Sequence, residues 1–208
     1  MSTTAAPVPA QPTLPRLRAA VQDCRACELW EGATQAVLGA GAARARLMLV
    51  GEQPGDREDV EGEPFVGPAG RELERALAEA GIDRRLVYLT NVVKHFRYEA
   101  RGKRRIHQRP DAAHIAACRP WLEAELAVVR PRVLVCLGAV AAQALVGRDV
   151  RVTRDRGRPL DSPLAPCVMA TVHPSSILRA PDAGARHEAH AAFVADLARG
   201  AALLEAAR

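Results

Sequence analysis

The sequence predicts an α/β fold: a three-layer α/β/α sandwich around a central, mostly parallel four-stranded sheet. Two observations carry this. Four short apolar runs, 47–50, 86–93 (LVYLTNVV), 133–137 (VLVCL) and 168–172 (VMATV), are nearly continuous rather than alternating, as expected of strands covered on both faces. Helix-forming segments lie between or after them, and strands alternating with helices imply a parallel sheet sandwiched by helices.

The elements follow in order. The start, MSTTAAPVPAQPTLP, is rich in Pro, Ala and Thr, so residues 1–15 read as a disordered tail and 16–208 as a single domain. The first strand, Leu47-Met48-Leu49-Val50, runs into GEQPGDREDVEGEPFVGPAG at 51–70. Five glycines, three prolines and six acidic side chains make that stretch too irregular for helix or strand. Residues 68–80 put Leu73, Leu77 and Ala80 on one helical face, with Gly81 as the C′ residue. A helix over 110–129 opens with Pro110 and Asp111, and Pro120 should kink or divide it. Residues 139–146 form a helix ending at Gly147, and a last helix runs from about 185 to 206. The polar loops 51–67, 94–109 and 173–179 each follow a strand. In a parallel sheet those ends share one edge, so three loops remote in sequence should line one cleft.

A length of 208 residues fits one domain, and 49% hydrophobic content is enough for a core. The net charge of +5 allows a polyanionic partner without demanding one. No secretory h-region and no apolar run of membrane-crossing length is seen, so the chain reads as cytoplasmic, with no membrane partner. Five cysteines, an odd number, argue against a disulfide framework.

Several segments carry chemistry. The loop at 51–70 offers the carboxylates Glu52, Asp56 and Asp59 and the flat ring of Phe65. The CxxC at Cys24 and Cys27 can clamp a metal with Cys118 and a fourth ligand. His95 begins a loop and can reach out; His114 lies four before Cys118 on the same helical face; Cys136 sits inside a strand, where cysteine is usually an apolar filler. Arg97–Arg109, RYEARGKRRIHQR, holds six Lys or Arg and reads as a solvated or phosphate-tracking loop. Its cations disfavour the charged form of His107, and a neutral imidazole is a competent nucleophile or base. In VHPSSILR, 172–179, His173 follows a strand, while Ser175, Ser176 and Arg179 can donate to phosphate or cap a helix. HEAH at 187–190 reads as a polar helix face, and GAGAAR at 39–44 precedes a strand, which excludes a nucleotide fingerprint.

Together these segments resemble the uracil-DNA glycosylase superfamily. GEQPGDREDVEGEPFVGPAG is similar to the first motif of the family 4, iron–sulfur members, roughly GEAPGxxEDxxGxPFVGxAG; NVVK at 91–94 resembles the second element and HPSSILR the third. The similarity spans about 24–180. It implies a [4Fe–4S] cluster on Cys24, Cys27, His95 and Cys118, with His95 standing where the pattern has cysteine, and with Cys136 and Cys167 as bystanders. Gln53 replaces the usual Ala, and the loop between His95 and Cys118 is longer, containing KRRIH at 103–107. GEQPGD, KHF and KRRIH resemble the UdgX-type subgroup, whose members excise uracil and become joined to the abasic sugar through the loop histidine.

That resemblance implies His107 as nucleophile, with Glu52 and Asp56 stabilising the positive sugar. Uracil would be held by Gln53, Phe65, Asn91 and His173, and phosphate by Lys103, Arg104, Arg105, Ser175 and Arg179. The expected partner is uracil-containing DNA, preferably single-stranded, bound by a monomer. The alternatives are a conventional multiple-turnover glycosylase and a non-catalytic iron–sulfur DNA-binding module.

Overall fold

The computed structural model describes residues 5–206. Of the tail expected over 1–15, residues 1–4 lie outside the described residues. Residues 5–13 have no regular secondary structure apart from a bend, and Ala6 and Val8 pack against a small core of Leu17, Val21, Leu38 and Trp121. The first helix, α1 (Leu14–Ala20), begins inside the expected tail, because Pro15 suits its first turn and the Thr13 hydroxyl accepts the Arg16 N–H. A one-turn helix, α2 (Leu29–Gly32), follows.

Strand β1 (Leu47–Gly51) leads into α3 (Asp56–Glu61) and α4 (Pro68–Glu79); then come β2 (Val87–Asn91) and a hairpin of β3 (Tyr98–Arg101) and β4 (Arg104–His107). Helix α5 (Ala112–Val129), β5 (Val133–Leu137), α6 (Ala139–Leu145), α7 (Val152–Asp155), β6 (Pro159–Leu160), β7 (Cys167–Thr171), α8 (Pro174–Leu178) and α9 (Ala183–Ala206) complete the described chain. None of the described helices is long and apolar enough to cross a membrane.

The main sheet has five strands, in the order β2-β1-β5-β7-β6, rather than four. The four expected strands are parallel, and β6 adds an antiparallel edge of two residues, Pro159 and Leu160, on β7. Proline suits such an edge, where its missing donor is not needed. Alternate residues feed two cores. Met48, Val50, Leu134 and Cys136 face Leu122, Leu126 and Ala141; Leu47, Leu49, Val133 and Val135 face Leu73, Leu77, Phe193 and Leu197. Both faces are covered, which is why the strands read as continuous apolar runs.

Three further expectations need correction. The 51–70 stretch contains a helix, α3, hidden by the glycines at both of its ends but favoured by Asp56, Glu58 and Asp59 in its first turn. Pro120 does not divide α5: the helix is continuous from Ala112 to Val129, with Pro120 exposed and Cys118, Trp121 and Leu122 on the buried face. In HEAH, His190 is not on a polar face: it is buried between the carboxylates of Glu72 (2.6 Å) and Glu79 (2.8 Å), pinning α9 to α4.

Candidate active site

The carboxyl ends of β1, β2 and β7 open onto one cleft of about 860 Å³, lined by the loops after all three strands. At its floor β1 ends on Gly51. A Cβ there would collide with the Asn91 side chain and the Phe65 ring, so glycine is what lets those two meet. Phe65 has φ 60°, the left-handed region that bulky residues avoid. Its loop is closed by Glu58, whose two carboxylate oxygens accept the N–H groups of Gly55 (3.1 Å) and Gly67 (2.8 Å). Sequence reasoning missed Glu58. The available signal was a glutamate three residues after a helix-start glycine, the spacing of a capping box.

His173 caps α8. Its Nδ1 accepts the Ser175 N–H (3.2 Å) and lies 2.8 Å from the Ser175 hydroxyl, which itself accepts from Arg179 (3.0 Å). With Nδ1 accepting, the ring proton is assigned to Nε2. Burial, then His107 and the Arg179 charge, pushes this imidazole down to about 4, so it is a neutral donor at physiological pH. The Phe65 ring stacks 6.1 Å away.

His107 ends β4 and is half exposed at the cleft. Gln53 fixes its state. The Gln53 Oε1 accepts the Arg97 N–H (3.1 Å), which sets the amide orientation. The Gln53 Nε2 then faces the carbonyls of Arg97 (3.1 Å) and Gln108 (3.0 Å) and the His107 Nε2 (2.9 Å). An amide nitrogen cannot accept, so the 2.9 Å contact assigns the lone pair to His107 Nε2 and the proton to Nδ1, with the two Gln53 hydrogens shared among three acceptors. Burial, then the Arg179 charge, lowers its pKa below the ordinary imidazole value. Glu52 Oε1 lies 4.0 Å from the His107 Nε2, buried and without a hydrogen-bond partner among the described residues. Burial raises the Glu52 pKa, partly offset by Arg109 and Arg179.

The basic segment expected to be a loop is the β3–β4 hairpin, and its cations divide. Lys103 and Arg104 are exposed at its turn. Arg105 points inward: its guanidinium pairs with Asp56 and with fully buried Asp59, and lies over the rings of Tyr98 and Phe96 at 5.2 and 5.5 Å. Asp56 lines the cleft, yet its carboxylate is engaged by Arg105. Asp59 also accepts the Thr34 N–H, and the Tyr98 hydroxyl donates to the Gly32 carbonyl (2.9 Å). Ser175 and Arg179 line the cleft, as does Arg109, which sequence reasoning did not single out.

The expected cluster ligands come from the segment between α1 and α2 (Cys24, Cys27), the loop after β2 (His95) and α5 (Cys118). Cys24, Cys118 and His95 are buried, and Cys27 is half-buried. Burial pushes the Cys118 thiol up to about 12. The sulfurs receive donors: Trp121 Nε1–H on Cys24 (3.2 Å) and Lys94 N–H on Cys118 (3.4 Å). His95 Nδ1 is a buried nitrogen without a hydrogen-bond partner among the described residues. Its rivals are otherwise engaged. His114 bridges Glu28 (2.7 Å) and its own helix cap at Asp111, and Cys136 packs in the core of the sheet. Among the described residues no three His, Cys, Asp or Glu converge tightly enough for one metal ion. A multi-iron cluster spreads its ligands over different irons and does not require that convergence.

Comparison with known proteins bears on this geometry. The model of the uracil DNA glycosylase superfamily matches residues 38–198. A type-4 uracil-DNA glycosylase of Thermotoga maritima is 40% identical over 160 residues, 76% of this chain and 80% of that protein. Those of Pyrobaculum aerophilum and Archaeoglobus fulgidus are each 34% identical. The first covers 81% of this chain and 86% of its own length, the second 81% and 84%.

Proposed function

The chain belongs to the uracil-DNA glycosylase superfamily, and from that premise we propose that it excises uracil from DNA and retains the abasic sugar as a covalent adduct on His107. The observation that carries the reading is the pair of histidines in one cleft, with opposite tautomers: an unprotonated Nε2 on His107, facing the Gln53 amide, and an Nε2–H on His173.

Phe65 stacks on the extracted uracil and Asn91 reads its polar edge through amide donor and acceptor. Single-stranded substrate is preferred because its bases need least unstacking. As the C1′–N1 bond breaks, negative charge grows on uracil and positive charge on the sugar. His173 donates from Nε2–H to a uracil carbonyl, and the Glu52 carboxylate stabilises the oxocarbenium-like sugar. The lone pair of His107 Nε2 then forms a bond to C1′. The resulting imidazolium loses its Nδ1 proton to solvent, and the departing uracil anion gains one. A glycosyl ester on a carboxylate is readily hydrolysed, whereas a neutral N-alkyl imidazole is a poor leaving group, so the protein turns over once. Cys24, Cys27, His95 and Cys118 would hold a [4Fe–4S] cluster, which supplies architecture rather than reacting atoms.

The relatives' own type-4 designation favours a second reading, an ordinary multiple-turnover glycosylase. The two separate on a denaturing gel after incubation with a uracil-containing single strand. Covalent capture predicts one retarded species per protein and uracil release that stops at one equivalent. Continued release without a retarded band supports the second reading instead.

A further inference from the structure

A second basic surface adjoins the cleft, on the α6–α7 side. Val152, the first residue of α7, lines the cleft, and the turn that precedes it carries Arg148 and Arg151, both exposed. That turn is fixed at both ends. The Arg151 backbone N–H donates to Asp155 Oδ2 (2.8 Å), and the Val150 carbonyl accepts from Gln143 of α6 (3.4 Å). Gln143 Oε1 in turn faces Arg109 Nη2 (3.5 Å), so one side chain links the end of the hairpin to the α7 turn around the rim.

The charges in this turn are not equivalent. Arg154 is chelated by Asp155 at 2.7 and 2.9 Å, and Arg156 by Asp196. Arg148 and Arg151 have no carboxylate within 4.0 Å among the described residues, and neither do Arg109 and Arg179 on the same rim; Arg151 Nη1 donates to the Arg148 and Val150 carbonyls, which orient the guanidinium without neutralising it. The guanidinium of Arg105, by contrast, is taken up by Asp56 and Asp59. The cations left for a polyanion therefore include a set running from Arg109 and Arg179 out to Arg148 and Arg151, with Asp149 the one acid inside the turn.

We infer that Arg148 and Arg151 form a phosphate track that carries the DNA strand away from the cleft along the α6–α7 edge. The inference rests on the DNA-binding reading above and adds where the flanking nucleotides lie. Phosphate contacts position without reading sequence and act through counterion release.

The test is equilibrium binding of the intact protein, over a range of salt, to single strands in which a carbon-linked analogue of deoxyuridine, whose glycosidic bond cannot be cleaved, stands at the uracil position. On a long oligonucleotide, an Arg148→Gln/Arg151→Gln protein should show a slope of log K against log salt shallower by about 1.4, at about 0.7 per phosphate. Arg148→Lys/Arg151→Lys should keep the wild-type slope. Oligonucleotides extended on only one side of the uracil locate the effect: the affinity gained by extension should vanish on one side and persist on the other. A double Gln variant at Arg44 and Arg132, which precede β1 and β5 at the amino-terminal end of the sheet, should leave the slope unchanged. An unchanged slope in the first variant, or an equal loss in the Arg44/Arg132 control, overturns the track. Failure of the glycosylase reading is distinct: it appears as no uracil release by the wild-type protein.

Discussion

The floor of the cleft and its hairpin wall carry one histidine each, and the two are prepared in opposite ways. His173 is set by its own helix: the cap to Ser175 fixes its tautomer, and burial holds it down to about 4. His107 is set from outside its hairpin, by Gln53 on the loop after β1. The floor rests on a five-stranded sheet with a core on each face. The hairpin is two four-residue strands, an arrangement marginal in isolation, held by Gln53, by Arg105 on Asp56 and Asp59, and by Tyr98 on Gly32. On the proposed mechanism, recognition and bond cleavage would belong to the scaffold and capture to an appended element, so the two activities should come apart under mutation.

The largest effect should come from His107→Ser. The retarded gel species should disappear entirely while uracil is still released, now with more than one turnover. Next, His173→Ala on the floor should lower the single-turnover release rate by about 10²- to 10³-fold, the range seen on losing one donor to a developing anion. Adduct should fall in step with release, because the proposed capture would follow cleavage.

Arg105→Gln attacks the wall's anchor. It leaves Asp59 buried without its cation, which should lower unfolding stability by about 3 kcal/mol, read by chemical denaturation. In the native protein it should lower adduct per uracil released more than it lowers release itself. The smallest effect is pH. A lowered His107 pKa keeps the imidazole neutral down through its ordinary range, so adduct formation should be flat from pH 8 to about 6.5 and fall only in acid. Glu52, raised by burial, should begin to protonate above the usual carboxylate range, so the acid limb of uracil release, measured by quench-flow, should start earlier than an exposed glutamate would give.

The sheet and the shared cleft were legible because both follow from short-range signals: continuous apolar runs, and polar loops after each of them. Asn91, Phe65, Glu52 and His173 came with those loops. The hairpin was also signalled, since Gly102, with φ 59°, and Lys103 form a two-residue turn between YEAR and RRIH. The density of positive charge masked that pattern. What the sequence does not display is pairing over distance. Arg105 meets acids 46 and 49 residues away, and His190 meets glutamates 111 and 118 away. No local periodicity distinguishes an arginine free for phosphate from one already held, which is why Arg105 read like Lys103 and Arg104.

The most direct measurement is mass spectrometry of the protein–DNA product after nuclease and trypsin treatment. Arg109, Arg119 and Arg130 each precede proline, so the relevant peptide runs from Ile106 to Arg132 and contains both His107 and His114. Capture by the hairpin imidazole predicts an added deoxyribose phosphate fragment whose position, read by backbone fragmentation, is His107. The same mass on any other side chain, or none on a protein that has released uracil, contradicts it.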